Sequence, residues 1–258
     1  MRRRMNNKLW LGSLGVLLVI CIVLGIMTRL SHSYSLSNPD ILGEMHYSYW
    51  PFTSADVDFD IDAFLEEAPI IIEGVFDGNR IYMNRCFLSD FRVTRVIKGD
   101  EKLQDQIVKI YETVMATEVS IEEYRSLLDQ QEFDEFMNWF GYRGNKKLFR
   151  LDPIEMYIHG MVMMKESEMY ILFLDEKDYP VIQNRDNKPV EFVLKDNPFA
   201  KLSVNDPELV NRAAPLLISQ KNSLKYEVLT SSTEVAIMYS SIKNTIIEKI
   251  NNQLETAS

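Results

Sequence analysis

The sequence predicts an α+β protein: an N-terminal transmembrane helix, then a β-rich domain that carries a helical insertion and ends in a helix. Three observations predict it. Residues 9–27 form an uncharged run, LWLGSLGVLLVICIVLGIM, preceded by a basic cluster. Beyond it, short runs rich in Ile, Val, Phe and Tyr alternate with Gly, Asp, Asn and Lys, the composition of strands and turns. Two stretches, about 120–140 and 231–252, switch to the helical spacing of apolar residues.

The head comes first. Residues 1–29 carry Arg2, Arg3, Arg4, Lys8 and Arg29 and no acid, in a chain of 258 residues with net charge −10. The remaining 229 residues therefore hold 23 basic against 38 acidic side chains, a net −15 behind a head of +5. At ~1.5 Å per residue the run 9–27 makes a helix of roughly 28 Å, close to the hydrocarbon thickness of a bilayer. A helix also pairs its own backbone groups, as lipid requires. Trp10 stands near one end, where an indole favours the headgroup layer. The basic cluster places residues 1–8 in the cytoplasm and the acidic body outside the cell membrane. The organisation read from this is a basic tail at 1–8, a transmembrane helix at 9–28 and a juxtamembrane linker at 29–55. Two other readings of the head stay open. A cleaved signal peptide has this charged start, although the run is long and no A-x-A-like site follows it. A lipoprotein would use Cys21, although Ile20 stands where a small residue belongs.

The body is read as a domain at 56–204, with the insertion at about 118–141, and a C-terminal helical segment at 205–258. Asp62 caps a short helix that Pro69 stops. Residues 70–75 are a β-branched run, a buried strand. Asp77-Gly78 reads as a tight turn between strands, with 81–86 and 89–97 as the next two strands and Lys98-Gly99-Asp100 as their end. Residues 106–111 form another. Ser120 with Glu123 is a capping box, after which Ile121, Tyr124, Leu127 and Leu128, then Phe133, Phe136, Met137 and Phe140, recur at helical spacing until Gly141 and Gly144. Strands resume at 156–163 and 169–174 around the polar turn 165–168, and again at 181–182 and 189–194. Asn205-Asp206-Pro207 opens a short helix. Ser231 with Glu234 is a second capping box, followed by Val235, Met238, Ile242, Ile246 and Ile250 at helical spacing and a polar tail that frays.

Charge and motif content narrow the function. A body of −15 has no basic face from which nucleic acid would release counterions, so no nucleic-acid partner is expected. Cys86 is the body's sole cysteine, which excludes a disulfide scaffold, and it joins no zinc site with His32, His46 and His159. The candidate metal ligands are Asp56, Asp58, Asp60 and Asp62, alternating in DVDFDID. Aligned as a calcium loop, these fall at ligand positions with Glu67 at the last, but Ile61 occupies the place of the required glycine. An extended strand, with the four carboxylates on one solvated face, fits the alternation better. His159 in IHGMVMM reads as a structural histidine, Cys86 as a small buried apolar residue, and Glu66-Glu67 and Glu122-Glu123 as solvated helix faces. No phosphate-binding loop, dinucleotide fingerprint, nucleophile elbow or HExxH motif occurs. No cofactor is expected.

EEAPIIIEGVF (66–76), SDFRVTRVIKGD (89–100) and MMKESEMYILFLDE (163–176) follow one another in an order that resembles a group of uncharacterised membrane-anchored or lipoprotein-like extracytoplasmic proteins of Gram-positive bacteria. The scheme is I-V-x-G-x-V, then F-x-V-x-x-V-x-K-G, then G-x-x-Y-L-L-F-L. The same rhythm is similar to netrin-like and metalloproteinase-inhibitor domains. The resemblance spans roughly 62–176 and implies a small OB-like β-barrel, with the helical insertion as a departure. Ser167-Glu168 stands where the group often has Gly-Glu, and the lone Cys86 carries over none of the animal domains' disulfide or inhibitory chemistry. The expectation is a single-pass, membrane-anchored, non-enzymatic module, held in the membrane by residues 9–28, that binds a protein or a cell-envelope component. Two alternatives accompany it: a divalent-metal-dependent enzyme or calcium-binding domain built on Asp56–Asp62, and a structural subunit of a membrane complex.

Overall fold

The computed structural model describes residues 7–48, 52–57, 60–83, 86–142, 148–153, 160–176, 190–204, 208–211, 217–230 and 232–257. The uninterrupted apolar head forms α1 (Asn7–Ser37), which runs on well past Met27. The stretch 14–27 covers about 21 Å of helix rise. There the large apolar side chains from Leu14 to Met27 are 48–62% exposed. Among the described residues no helix is long and apolar enough to cross a membrane.

The segment read as a linker at 29–55 is not a loose tether. α1 continues helical to Ser37, and Asn38 caps α2 (Pro39–Glu44) by accepting from the Asp40 N–H at 2.9 Å. Pro39 sits in the first turn, where a missing N–H costs nothing. β1 (His46–Ser48) follows. Leu36, Leu42 and Met45 are buried in one cluster with Tyr82, Phe87, Val114 and Leu151. At about 1.5–3 kcal/mol for each fully buried side chain, this packing outweighs the freedom a polar linker would keep.

A 3-10 turn at Ser54–Val57 leads to α3 (Ile61–Glu67). Asp60 caps α3, not Asp62. The long hairpin β2 (Ile70–Met83) and β3 (Cys86–Lys98) comes next. Asp77-Gly78 is therefore no hairpin turn. Phe76 pairs with Phe91 and Arg80 with Ser89, so three residues of β2 oppose one of β3. Gly78 adopts φ +90°, and Asp77 Oδ1 accepts from the Asn79 N–H at 3.1 Å. This is a bulge, in which the turn chemistry bends the strand without reversing it. The reversal comes between Met83 and Cys86, which pair.

β4 (Ile107–Glu112) and β5 (Val114–Glu118) follow. The insertion is two helices, α4 (Ile121–Leu127) and α5 (Gln130–Tyr142). Ser120 Oγ accepts from the Glu123 N–H at 3.0 Å, the expected cap. Asp129 and Glu132 cap α5 reciprocally, at 2.8 and 3.4 Å, which breaks the insertion in two. Then come β6 (Phe149–Pro153), β7 (Met169–Glu176), β8 (Glu191–Leu194) and β9 (Lys201–Ser203). Where the sequence predicts a helical segment from 205 onward, three strands and a single helical turn intervene. These are β10 (Glu208–Asn211), β11 (Leu217–Ser219), α6 (Gln220–Ser223) and β12 (Tyr226–Thr230). The C-terminal helix α7 (Thr233–Ala257) starts from Ser232, whose Oγ accepts from the Val235 N–H at 3.4 Å, and it extends through the tail read as frayed. The expected strand at 181–182 and the first half of that at 156–163 lie outside the described residues, and in the second half only Met161 pairs, in an isolated bridge with Val228.

The fold is α+β with a mixed sheet. Six strands order as β2-β3-β4-β8-β7-β9, and β2 also pairs with β7. The pairings thus run in a circuit, β2 to β3 to β4 to β8 to β7 and back to β2. All are antiparallel except β4 with β8. A second sheet, β11-β1-β6-β5, and the pair β10-β12 flank it. The main core is one cluster to which the strands of this sheet, α3 and α7 all contribute. It includes Ile72, Phe91, Val93, Ile110, Leu172, Phe173, Tyr239 and Ile246. The insertion has its own small core of Val119, Tyr124, Leu128, Phe133, Phe136 and Leu148.

Candidate functional site

Period-two alternation along β4 points Val108 and Ile110 inward, and the next inward position is Glu112. On α7, Tyr239, Lys243, Ile246 and Ile250 form one buried stripe, so helical spacing carries Lys243 inward too. β12 and β9 bring Glu227, Lys201 and Ser203 to the same interior. Charged groups taken out of water must find partners, and these do.

Glu112 Oε1 accepts from Arg80 Nε at 2.7 Å and from Ser89 Oγ, and its Oε2 accepts from the Met164 N–H at 2.7 Å. Arg80 in turn donates to the Met164 carbonyl at 2.8 Å and lies 4.4 Å over the Phe76 ring. One ion pair thereby joins β2, β3, β4 and the segment leading into β7. Glu227 accepts from the Ser203 N–H at 2.6 Å and from Lys243 Nζ at 2.7 Å. Ser203 Oγ donates to Glu168 at 2.7 Å. This second pair joins β9, β12, α7 and the turn before β7. Lys201 lies between the two, its Nζ 5.0 Å over the Tyr170 ring.

The electrostatics follow from burial. Burial pushes the Glu227 carboxyl up, against the pull of Lys243, the Ser203 N–H and Lys201. It pushes Lys201 down to about 8, against the pull of Glu227 and Glu112. The Tyr239 and Tyr170 hydroxyls are both raised, chiefly by burial and further by nearby carboxylates. What these groups do in the structure is hold segments together, and losing one partner leaves the other buried and uncompensated.

A second constellation joins the insertion to the flanking sheet. His46 of β1 stacks edge-on against Tyr124 and Phe136, with ring centres 5.3 and 5.2 Å away. The His46 N–H donates to Tyr124 Oη at 3.2 Å. Its Nδ1 is buried with no hydrogen-bond partner among the described residues. Burial pushes the imidazole down to about 4 and the Tyr124 hydroxyl up. Arg150 pairs with Asp152 at 2.7 Å and Glu123 at 2.9 Å beside them, and the Asp152 hydrogen bond raises its pKa most.

The expected aspartate row does not form a strand face. Asp56 Oδ2 accepts from the Thr53 N–H and Oγ at 2.7 and 2.8 Å. Asp60 caps α3, and Asp62 pairs with Lys249 of α7. Asp58 lies outside the described residues. The chain turns here because Asp56, Asp60 and Asp62 each find a local N–H or a cation, which competes with an extended strand. Among the described residues no three His, Cys, Asp or Glu groups stand close enough to hold a metal ion. Cys86 is half-buried on β3, His159 lies outside the described residues, and Glu66, Glu67, Glu122 and Glu123 are exposed. Reading by motif misses Arg80, Glu112, Lys201, Glu227 and Lys243. The signal was a charged residue at an inward phase, visible for Glu112 after Val108 and Ile110 and for Lys243 within the α7 stripe. Compared with known proteins, the chain matches no family model, no curated protein and no solved structure.

Proposed function

We propose that this is a single-pass membrane protein whose domain stands outside the cytoplasm and acts as a non-enzymatic interaction module on an OB-type barrel. The observation that carries the reading is α1. Its large apolar side chains from Leu14 to Met27 are all exposed, a state that water penalises at ~25 cal/mol per Å² and lipid does not. The full uncharged run 9–27 has bilayer length, and the +5 head sets its orientation. The pairing circuit supports the barrel. Its order β2-β3-β4-β8-β7, with β2 also pairing β7 and with one parallel pair, is the order a five-stranded Greek-key barrel would have. Along the chain the helical insertion falls between β4 and β7 of that circuit.

Alkaline extraction of membranes from cells expressing the full chain tests this, combined with protease added outside intact spheroplasts. Retention in the pellet with digestion of the domain is the expected result. Release into the supernatant, or a domain protected until lysis, overturns it.

A further inference from the structure

Resting on that membrane reading, the structure points to a further property: we infer that α1 is a rigid stalk that fixes the height and rotational setting of the domain above the bilayer. One helix runs from within the apolar head to Ser37 without a break. Its end is fastened to the domain. Leu36 is 1% exposed, packed in the cluster of Tyr82, Phe87 and Leu151, and Ser37 Oγ accepts from the Tyr82 N–H of β2 at 2.8 Å. The chain then stays fixed. Asn38 caps α2, Leu42 and Met45 enter the same cluster, and β1 pairs on both sides, with β11 and β6. No flexible connector separates the apolar run from the folded domain, and Met27 stands only about 15 Å of helix rise from Ser37. A domain mounted so cannot search a volume as a tethered one does. It presents one face at one height, which suits a partner that is itself held at the membrane surface.

The test uses the full chain in lipid nanodiscs, spin-labelled at Met27→Cys and Ile237→Cys in a Cys21→Ala, Cys86→Ala background. Pulsed electron double resonance reads the distance distribution. A narrow distribution is expected. Replacing residues 29–34 by a Gly-Ser sequence of equal length broadens it, and adding one alanine after Leu30 shifts its centre without broadening, since one helical residue turns the domain by about 100° and lifts it ~1.5 Å. A native distribution as broad as the Gly-Ser variant's, or an alanine insertion that leaves the distance unmoved, overturns the stalk. Loss of the labelled chain from the bilayer on alkaline washing removes the anchor reading and the stalk with it. A wash-resistant chain with a broad distribution removes the stalk alone.

Discussion

Protonation of His46 is the perturbation whose effect can be worked furthest from the structure. The imidazole is held neutral between Tyr124 and Phe136, and burial lowers it from 6.5 to about 4. The folded state therefore binds this proton later than the unfolded chain does. The contribution is complete above pH 6.5 and is lost as pH falls towards 4. Linkage over that window gives a loss of about 2 kcal/mol between pH 7 and pH 5 and about 3 kcal/mol by pH 4. His46→Phe keeps an aromatic ring between Tyr124 and Phe136 and removes the proton site. Urea unfolding of the full chain in detergent, followed by tryptophan fluorescence at pH 7 and pH 5, reads the difference. Wild type should lose about 2 kcal/mol more than His46→Phe over this interval. Equal losses in the two proteins would refute the reasoning, because the two chains differ only at residue 46.

Three substitutions probe the rest of the frame. Ser167 holds φ +63° in the turn before β7, so Ser167→Gly should raise stability by about 0.5–1 kcal/mol and Tm by about 1–3 °C. Calorimetry showing a lower Tm would contradict that strain. Gly74→Ala places a Cβ 2.1 Å from the Arg92 carbonyl and 2.6 Å from the Phe91 ring, against backbone that cannot retreat, and should cost about 2–3 kcal/mol in chemical denaturation. Glu227→Gln leaves Lys243 buried without its counter-charge and should cost about 3–5 kcal/mol, while the double change Glu227→Leu, Lys243→Met recovers most of it. A double variant no more stable than Glu227→Gln would show that the pair contributes more than mutual neutralisation.

Much of the domain is legible locally. α3, the strand at 70–75, the Ser120 cap and the apolar stripe of α7 follow from caps, β-branched runs and helical spacing. Gly74 has a physical reason in its close approach to the Arg92 carbonyl. The misreadings share a cause. Asp77-Gly78 has the chemistry of a turn, and only a continuous partner strand makes it a bulge. β1, β9, β10 and β11 are three or four residues long, too short for periodicity to announce them, and they exist because neighbours offer paired backbone. DVDFDID alternates like a strand, yet a helix cap, a Thr53 contact and Lys249, far away in sequence, claim its carboxylates.

By itself the sequence determined the division of this protein into a cationic apolar head and an acidic α+β body, because charge and hydropathy are properties of composition that no packing alters. It also determined the elements whose signals lie within one or two turns or a single strand. The tertiary structure alone decided that the head runs as helix into the body and that the supposed linker is packed against Tyr82. It also decided that Glu112 and Glu227 sit buried against Arg80 and Lys243. Those outcomes depend on which distant segments meet. A buried charge is stable only where a partner arrives from elsewhere in the chain, and no local spacing encodes that arrival.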